Sequence, residues 1–266
     1  MKKKFLSILL SICMVLTLLP VTALAAGEDT SGEGSSASNP FTSVADYNDA
    51  VRDADSAWNG KDIYLTITGQ DFDTSNLFNL VNVQSRENPP KLHLTIKDCT
   101  FTGNTANDST NPSFMYLPNC QSLVIDRCTF DATDSGLKYG INWNLIQIEN
   151  ATVSITNCTF TGKYQENAIK LNQRGDTDDT ASDIKPSSGT QIAATIASAL
   201  IENCDLSQAT GSNIIMLGSA GKNNGGAASP STGAFPVTIT APEGSGVNVF
   251  LAYLASEDDA TAALTN

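Results

Sequence analysis

One stretch of the chain gathers enough charge to do chemistry. The segment Arg174-Gly175-Asp176-Thr177-Asp178-Asp179-Thr180-Ala181-Ser182-Asp183 carries four carboxylates within eight residues. Oxygen-rich loops of this kind hold Ca²⁺, so Asp176, Asp178, Asp179 and Asp183 are the candidate ligands, and Ca²⁺ is the one cofactor the sequence suggests. The loop lacks the glycine at position 6 and the glutamate at position 12 of an EF-hand, and an acidic, solvated loop is the competing reading. Its Arg174-Gly175-Asp176 is an integrin-type tripeptide, too short to carry weight alone. Lys170 and Arg174 supply nearby positive charge. The single histidine, His93, excludes multi-histidine metal centres and allows at most one Ser-His-Asp arrangement. It alternates outward in Leu92–Ile96, as a solvent-facing strand residue would.

Cysteines are the other reactive residues. Of six, Cys13 lies near the N-terminus, and Cys99, Cys120, Cys128, Cys158 and Cys204 follow. Four of these occupy one position of a recurring phrase. Leu94-Thr95-Ile96-Lys97-Asp98-Cys99-Thr100-Phe101 returns as Leu123 to Phe130, as Val153 to Phe160, and more loosely as Ala199 to Leu206. An earlier copy, Leu65 to Phe72, has Gln70 in place of cysteine. The equivalent positions are 70, 99, 128, 158 and 204, in steps of 29, 29, 30 and 46. A fixed period in this range implies stacked structural units.

The elements that position these residues follow from the phrase. Leu94 and Ile96 share one strand face, and so do Cys99 and Phe101. The odd step between the pairs requires a bend if both are to point inward. The residue before the cysteine position is Gly69, Asp98, Arg127, Asn157 or Asn203, and four of these five types tolerate left-handed backbone. A corner is therefore expected there. A third apolar stretch follows each phrase: Phe78 and Leu80, Phe114 and Tyr116, Ile146 and Ile148, Ile169 and Leu171, Ile215 and Leu217. Each unit reads as three short strands around a bent coil, and stacking buries the inner faces as ladders. Helical hairpin repeats are excluded by the β-branched and aromatic composition and by the missing 3.6-residue period.

The pattern L-x-I-x-[DN]-C-x-F resembles the right-handed parallel β-helix repeat of pectate-lyase-like proteins, over roughly residues 41–255. Phe101-Thr102-Gly103-Asn104 also resembles the F-x-x-N phrase of polymorphic outer-membrane repeats. The resemblance implies an all-β, single-stranded right-handed parallel β-helix with an N-terminal capping helix. It fixes no activity, because this fold hosts lyases, hydrolases and adhesins alike. A lyase would need Ca²⁺-binding carboxylates and a basic proton acceptor on one wall, and Lys170 and Arg174 lie near the acidic loop. A hydrolase of the polygalacturonase type would need clustered aspartates. Asp178-Asp179 is present, but the family's Asn-Thr-Asp, Gly-His-Gly and Arg-Ile-Lys phrases are not.

Residues 1–25 read as a secretory signal peptide: Lys2-Lys3-Lys4, an apolar run from Phe5 to Leu19, and Ala23-Leu24-Ala25 as an A-x-A site. Cleavage removes three lysines and takes the net charge from −13 to −16. That balance disfavours nucleic acid and anionic membranes as partners. No other stretch could span a bilayer. Residues 26–40 read as a flexible spacer. Val44, Tyr47, Val51, Ala54 and Trp58 form one apolar stripe, predicting a helix over 43–58, capped by Ser43, that covers the first coil. Residues 41–60 form this capping unit, 61–255 a β-helix of about six coils, and 256–266 a polar tail, beyond which further C-terminal modules are possible partners. Insertions at Asn172–Gln191 and Lys222–Ala234 leave the same corner of adjacent coils.

In a secreted chain cysteines usually pair. Stacked in register, however, neighbouring rungs are about 4.8 Å apart, while disulfide Cβ atoms prefer about 3.8 Å. Cys99, Cys128, Cys158 and Cys204 are therefore expected as an inward ladder of free thiols beside a ladder of Phe72, Phe101, Phe130 and Phe160. A linear ladder cannot surround a zinc ion. Outward threonines such as Thr100, Thr129 and Thr159 have charged neighbours, which rules out an ice-like array. The functional expectation is a secreted protein of the bacterial cell surface, without catalysis, that contacts glycans or host surfaces in the manner of an adhesin. The alternative is a polysaccharide lyase or glycoside hydrolase acting on acidic polysaccharide near residues 170–185.

Overall fold

A computed structural model of the chain describes residues 32–83, 86, 88–103, 112–118, 120–133, 136–145, 148, 150–174, 196–210, 214–219 and 237–254. The expected signal peptide, the polar tail, the 222–234 insertion and all but the start of the 172–191 insertion lie outside them. A helix α1 (Val44–Val51) precedes sixteen strands: β1 (Asp62–Thr68), β2 (Asp71–Phe72), β3 (Lys91–Lys97), β4 (Thr100–Thr102), β5 (Ser113–Pro118), β6 (Cys120–Asp126), β7 (Thr129–Ala132), β8 (Tyr139–Leu145), β9 (Ala151–Thr156), β10 (Thr159–Lys163), β11 (Asn167–Arg174), β12 (Ile196–Glu202), β13 (Asp205–Thr210), β14 (Ile214–Ser219), β15 (Val237–Thr240) and β16 (Val249–Leu254).

They form three parallel sheets, ordered β1-β3-β6-β9-β12-β15, β2-β4-β7-β10-β13 and β5-β8-β11-β14-β16. The molecule is a parallel β-solenoid with one short helix on its N-terminal side. Alternation explains the first sheet. Ile63, Leu65 and Ile67 in β1, like Leu92, Leu94 and Ile96 in β3, are buried, and the residues between them are not. The register pairs Leu65 with Leu94, Leu94 with Leu123, Leu123 with Val153 and Val153 with Ala199, so the repeat seen in sequence is the stack seen in space.

The corner lies where the phrase required it. Gly69, Asp98, Arg127, Asn157 and Asn203 all have positive φ, between 52° and 64°. Their N–H groups stay in the ladder: Asp98 N donates to Asp126 O at 3.1 Å, Arg127 N to Thr156 O at 3.0 Å and Asn157 N to Glu202 O at 2.9 Å. Past the corner the second sheet aligns the phenylalanines. Phe72, Phe101, Phe130 and Phe160 stack with ring centroids 4.8–4.9 Å apart and planes within 13°. This is the rung spacing itself, in an arrangement where each ring shields its neighbours from water. Gly162 is required where the rungs come closest. It sits at φ +81°, and a Cβ there would fall 2.2 Å from Thr133 N.

The third sheet departs from the sequence reading. Met115 pairs with Ile141, Ile141 with Ile169 and Ile169 with Ile214, while Leu117, Trp143, Leu171 and Met216 form the next row. Phe114 and Met115 are both buried although adjacent, and so are Ala168 and Ile169. Consecutive residues of these strands are thus buried together, and strict alternation counted from Phe114 slips by one. Tyr116 is half-buried, and Ile215 and Leu217 fall out of line with Ile169 and Leu171. In the third coil the strand is Tyr139–Leu145, ahead of the Ile146 and Ile148 read from sequence. Phe78 and Leu80 form no strand.

The helix is shorter than its apolar stripe. Ser43 Oγ accepts from Ala45 N and Asp46 N, as an N-cap should. After Val51, however, side chains take the carbonyls that would continue it: Ser56 Oγ donates to Ala50 O at 2.7 Å and Asn59 Nδ2 to Ala54 O at 2.6 Å. Short polar residues compete with helix bonding in this way. Tyr47 and Val51 still enter the core, and Trp58 packs edge-on against Phe41 at 6.0 Å. Asn48 binds both Asn79 O and Val81 N, standing in for a neighbouring strand. Residues 32–40 of the expected spacer, and Phe41 after them, are hydrogen-bonded. Gly34 O accepts from Tyr64 N, and Phe41 pairs in parallel with Leu65. The exposed edge of β1 is thereby covered.

Candidate functional site

Asp176, Asp178, Asp179 and Asp183, and with them most of the Arg174-Gly175-Asp176 tripeptide, lie outside the described residues. Among the described residues, no three His, Cys, Asp or Glu side chains are grouped to hold a metal ion.

Cys99, Cys120, Cys128, Cys158 and Cys204 are buried and unbridged. The bonds Thr129 N to Cys99 O, Thr159 N to Cys128 O and Asp205 N to Cys158 O place four of them on successive rungs. Each thiol also lies against a carbonyl across the corner: Cys99 Sγ donates to Lys97 O at 3.2 Å and Cys158 Sγ to Thr156 O at 3.1 Å. Hydrogen bonding to Cys128 and burial push the Cys99 thiol up, and hydrogen bonds to Cys128 and Cys204 together with burial do the same to Cys158. Burial alone raises Cys120 to about 12. Buried, unbridged thiols generally behave as small hydrophobes.

The polar chemistry sits outside. On the outer face of the first sheet, Tyr64 and His93 stack at 4.6 Å with planes 13° apart. His93 Nδ1 meets Ser122 Oγ at 2.8 Å, and its Nε2 meets Asp62 Oδ1 at 2.8 Å. The His93 side chain is 23% exposed and that of Asp62 57%. Three successive rungs, β1, β3 and β6, supply these groups. A bulge tunes the last: Leu92 aligns with Cys120 and His93 with Ser122, leaving Gln121 as the extra residue. Cys120 can then point inward while Ser122 faces out beside the imidazole, the sort of re-aiming bulges allow.

At the adjoining corner, Arg127 binds Asp98 through Nε at 2.7 Å and Nη2 at 2.9 Å, and also contacts Asp126. Asp126 Oδ1 accepts from Thr156 Oγ1 at 2.9 Å and Asn157 Nδ2 at 2.8 Å. The Asn157 bond and then the Thr156 bond hold the Asp126 carboxyl below its ordinary range, and the Arg127 hydrogen bond does the same for Asp98.

A second polar cluster occupies the third sheet. Tyr139 donates to Glu166 Oε2, Lys138 Nζ lies 3.4 Å from Glu166 Oε1, and Lys170 Nζ sits 4.7 Å from the Tyr139 ring centroid. Burial and then the Glu166 carboxylate push the Tyr139 phenol well up. The outward setting of His93 was readable from alternation. Its partners were missed, although Tyr64, His93 and Ser122 stand 29 residues apart, the period of the repeat.

Comparison of the chain with protein-family models, with curated proteins and with solved structures finds no match.

Proposed function

We propose that this protein is a secreted, pectate-lyase-like β-solenoid of the bacterial cell surface that contacts glycans or host surfaces through an outer sheet face. The observation that carries the reading is the outer face of the first sheet. It sets the stacked Tyr64–His93 pair beside Asp62 and Ser122, with the paired hydroxyls Thr66 and Thr95 two residues further along the same two strands. Such a face offers an aromatic edge with donors and acceptors at rung spacing, which suits a hydroxyl-rich polymer laid along it. The lysine-led apolar N-terminus and the A-x-A site support export. The test is binding of the mature protein to a panel of purified cell-surface polysaccharides by calorimetry. Binding weakened at least about tenfold in Tyr64→Ala supports the reading, and binding indifferent to Tyr64→Ala removes this face from it.

A second reading, a polysaccharide lyase or hydrolase using residues 170–185, is favoured by Lys170, which lies over the Tyr139 ring and sits on the strand that leads into that segment. Reducing-end and unsaturated-product assays on acidic polysaccharides test it. Turnover abolished by Asp178→Ala would replace the first reading with the second.

A further inference from the structure

Three side chains from three consecutive rungs are joined in one line, Ser122 Oγ to His93 Nδ1 at 2.8 Å and His93 Nε2 to Asp62 Oδ1 at 2.8 Å. We infer that Ser122, His93 and Asp62 form an acyl-transfer site, with Ser122 as nucleophile, His93 as general base and Asp62 as the group that orients the ring. The assignment follows from roles and geometry, the grounds on which such sites are recognised. A carboxylate only accepts hydrogen bonds, so Nε2 carries the proton that points to Asp62. Nδ1 is then left with its lone pair toward the Ser122 hydroxyl, the tautomer a base requires. The ring nitrogens are used in the opposite sense to the common serine-protease arrangement, but either can serve if the other is held by a carboxylate.

The surroundings fix this arrangement. Tyr64 lies flat against the imidazole, so the ring plane is set from one side while both nitrogens are engaged. Ladder bonds hold the strands beneath, with Asp62 opposite Lys91 and His93 opposite both Tyr64 and Ser122. A site mounted on paired strands keeps its geometry better than one on a loop.

The reaction balances without a metal or redox partner. Ser122 Oγ bonds to the carbonyl carbon of an ester while its proton passes to His93 Nδ1. The tetrahedral intermediate collapses, the C–O bond to the leaving alcohol breaks, and that alcohol takes the proton from His93. Water then attacks the acyl-serine by the same route, giving a carboxylic acid and restoring the Ser122 hydroxyl. The substrate class is a carboxylic ester. Because the three groups lie on an open sheet face, the site suits an acyl group carried on an extended polymer that can lie across the strands.

The test is acylation of the mature protein by p-nitrophenyl acetate, followed by nitrophenolate release, intact mass and peptide mapping. The expected result is a burst with an acetyl adduct on Ser122. Ser122→Ala should lack the adduct. His93→Gln should slow acylation by at least about 100-fold, the usual contribution of a positioned base. Asp62→Asn should lower the rate and leave the adduct on Ser122. Ser122→Cys, which keeps a nucleophile in place, should still be acetylated at position 122 and guards against misfolding of the alanine variant. An adduct elsewhere with none on Ser122, or a rate unchanged in His93→Gln, overturns the assignment. The probe carries no sugar, so its failure leaves the glycan reading standing, and a failure of glycan binding leaves this one standing.

Discussion

Replacing Phe130 by alanine should be among the most damaging single changes in the solenoid, and more damaging than the same change at Phe72. Phe130 is fully buried and lies between two parallel rings, Phe101 and Phe160, each 4.8 Å away with planes 10° apart. Phe114 approaches it at 6.1 Å. Truncation of a buried phenylalanine typically costs about 3–5 kcal/mol, and each aromatic pair adds about 0.5–1.5 kcal/mol beyond area. Phe72 stacks on one ring only, Phe101 at 4.9 Å, with Phe78 edge-on at 5.4 Å. The two sites therefore differ by one stacked pair, so Phe130→Ala should exceed Phe72→Ala by about 0.5–1.5 kcal/mol. Rungs stabilise mainly their neighbours, and a gap in mid-stack interrupts the ladder in both directions. Urea unfolding of the protein lacking residues 1–25, followed by far-ultraviolet circular dichroism and by tyrosine and tryptophan fluorescence, gives both values. Coincident transitions for the two probes would justify a single free energy. An equal or smaller loss at Phe130 would refute the idea that continuous ring stacking, rather than burial alone, holds the second sheet.

Other outcomes follow from the corner and the thiols. Arg127 sits at φ 52°, so Arg127→Gly should be more stable than Arg127→Ala by about 1 kcal/mol, since both lose the contacts to Asp98 and Asp126 and only glycine is at ease there; thermal denaturation of the pair decides it. The depressed carboxyls of Asp98, Asp126 and Asp131 contribute stability that is present above the unfolded carboxylate range near about 4 and is lost as pH falls through the lower folded values. Stability should thus fall on acidification, and Asp126→Asn should flatten that fall. Alkylation of the unfolded, unreduced protein lacking residues 1–25 should modify five cysteines, matching the five unbridged thiols, and labelling of only one or three would disprove the free column.

The phrase around each cysteine was the most legible part of the sequence, because one physical problem recurs in it. Two inward pairs an odd step apart need a left-handed residue between them, and Asp98, Asn157 and Asn203 are of the types that accept it. Arg127 shows that the stack can impose the same turn on an unwilling residue. The third wall was less legible, since consecutive residues such as Phe114 and Met115 are buried there together, and period-two counting cannot see that. Trp143 was overlooked for the same reason, with Ile146 and Ile148 carrying the clearer alternation. The helix overran because apolar spacing ignores the competition from Ser56 and Asn59. At the outer face, alternation placed His93 but not its partners. Those depend on which residues the repeat brings into neighbouring rungs, a question of register rather than of residue type.

The step of 29 residues makes the rung a unit of length, and functional groups on this solenoid are addressed by rung number. A whole coil inserted after Asn157 would meet compatible ladders above and below and lengthen the molecule by about 4.8 Å. The same insertion between β1 and β3, or between β3 and β6, would leave every buried contact type intact, yet carry Asp62 or Ser122 one rung away from His93 and break a 2.8 Å contact. Growth by duplication is therefore free along most of this chain and barred across one short interval, whose boundaries are set by surface residues rather than by the core.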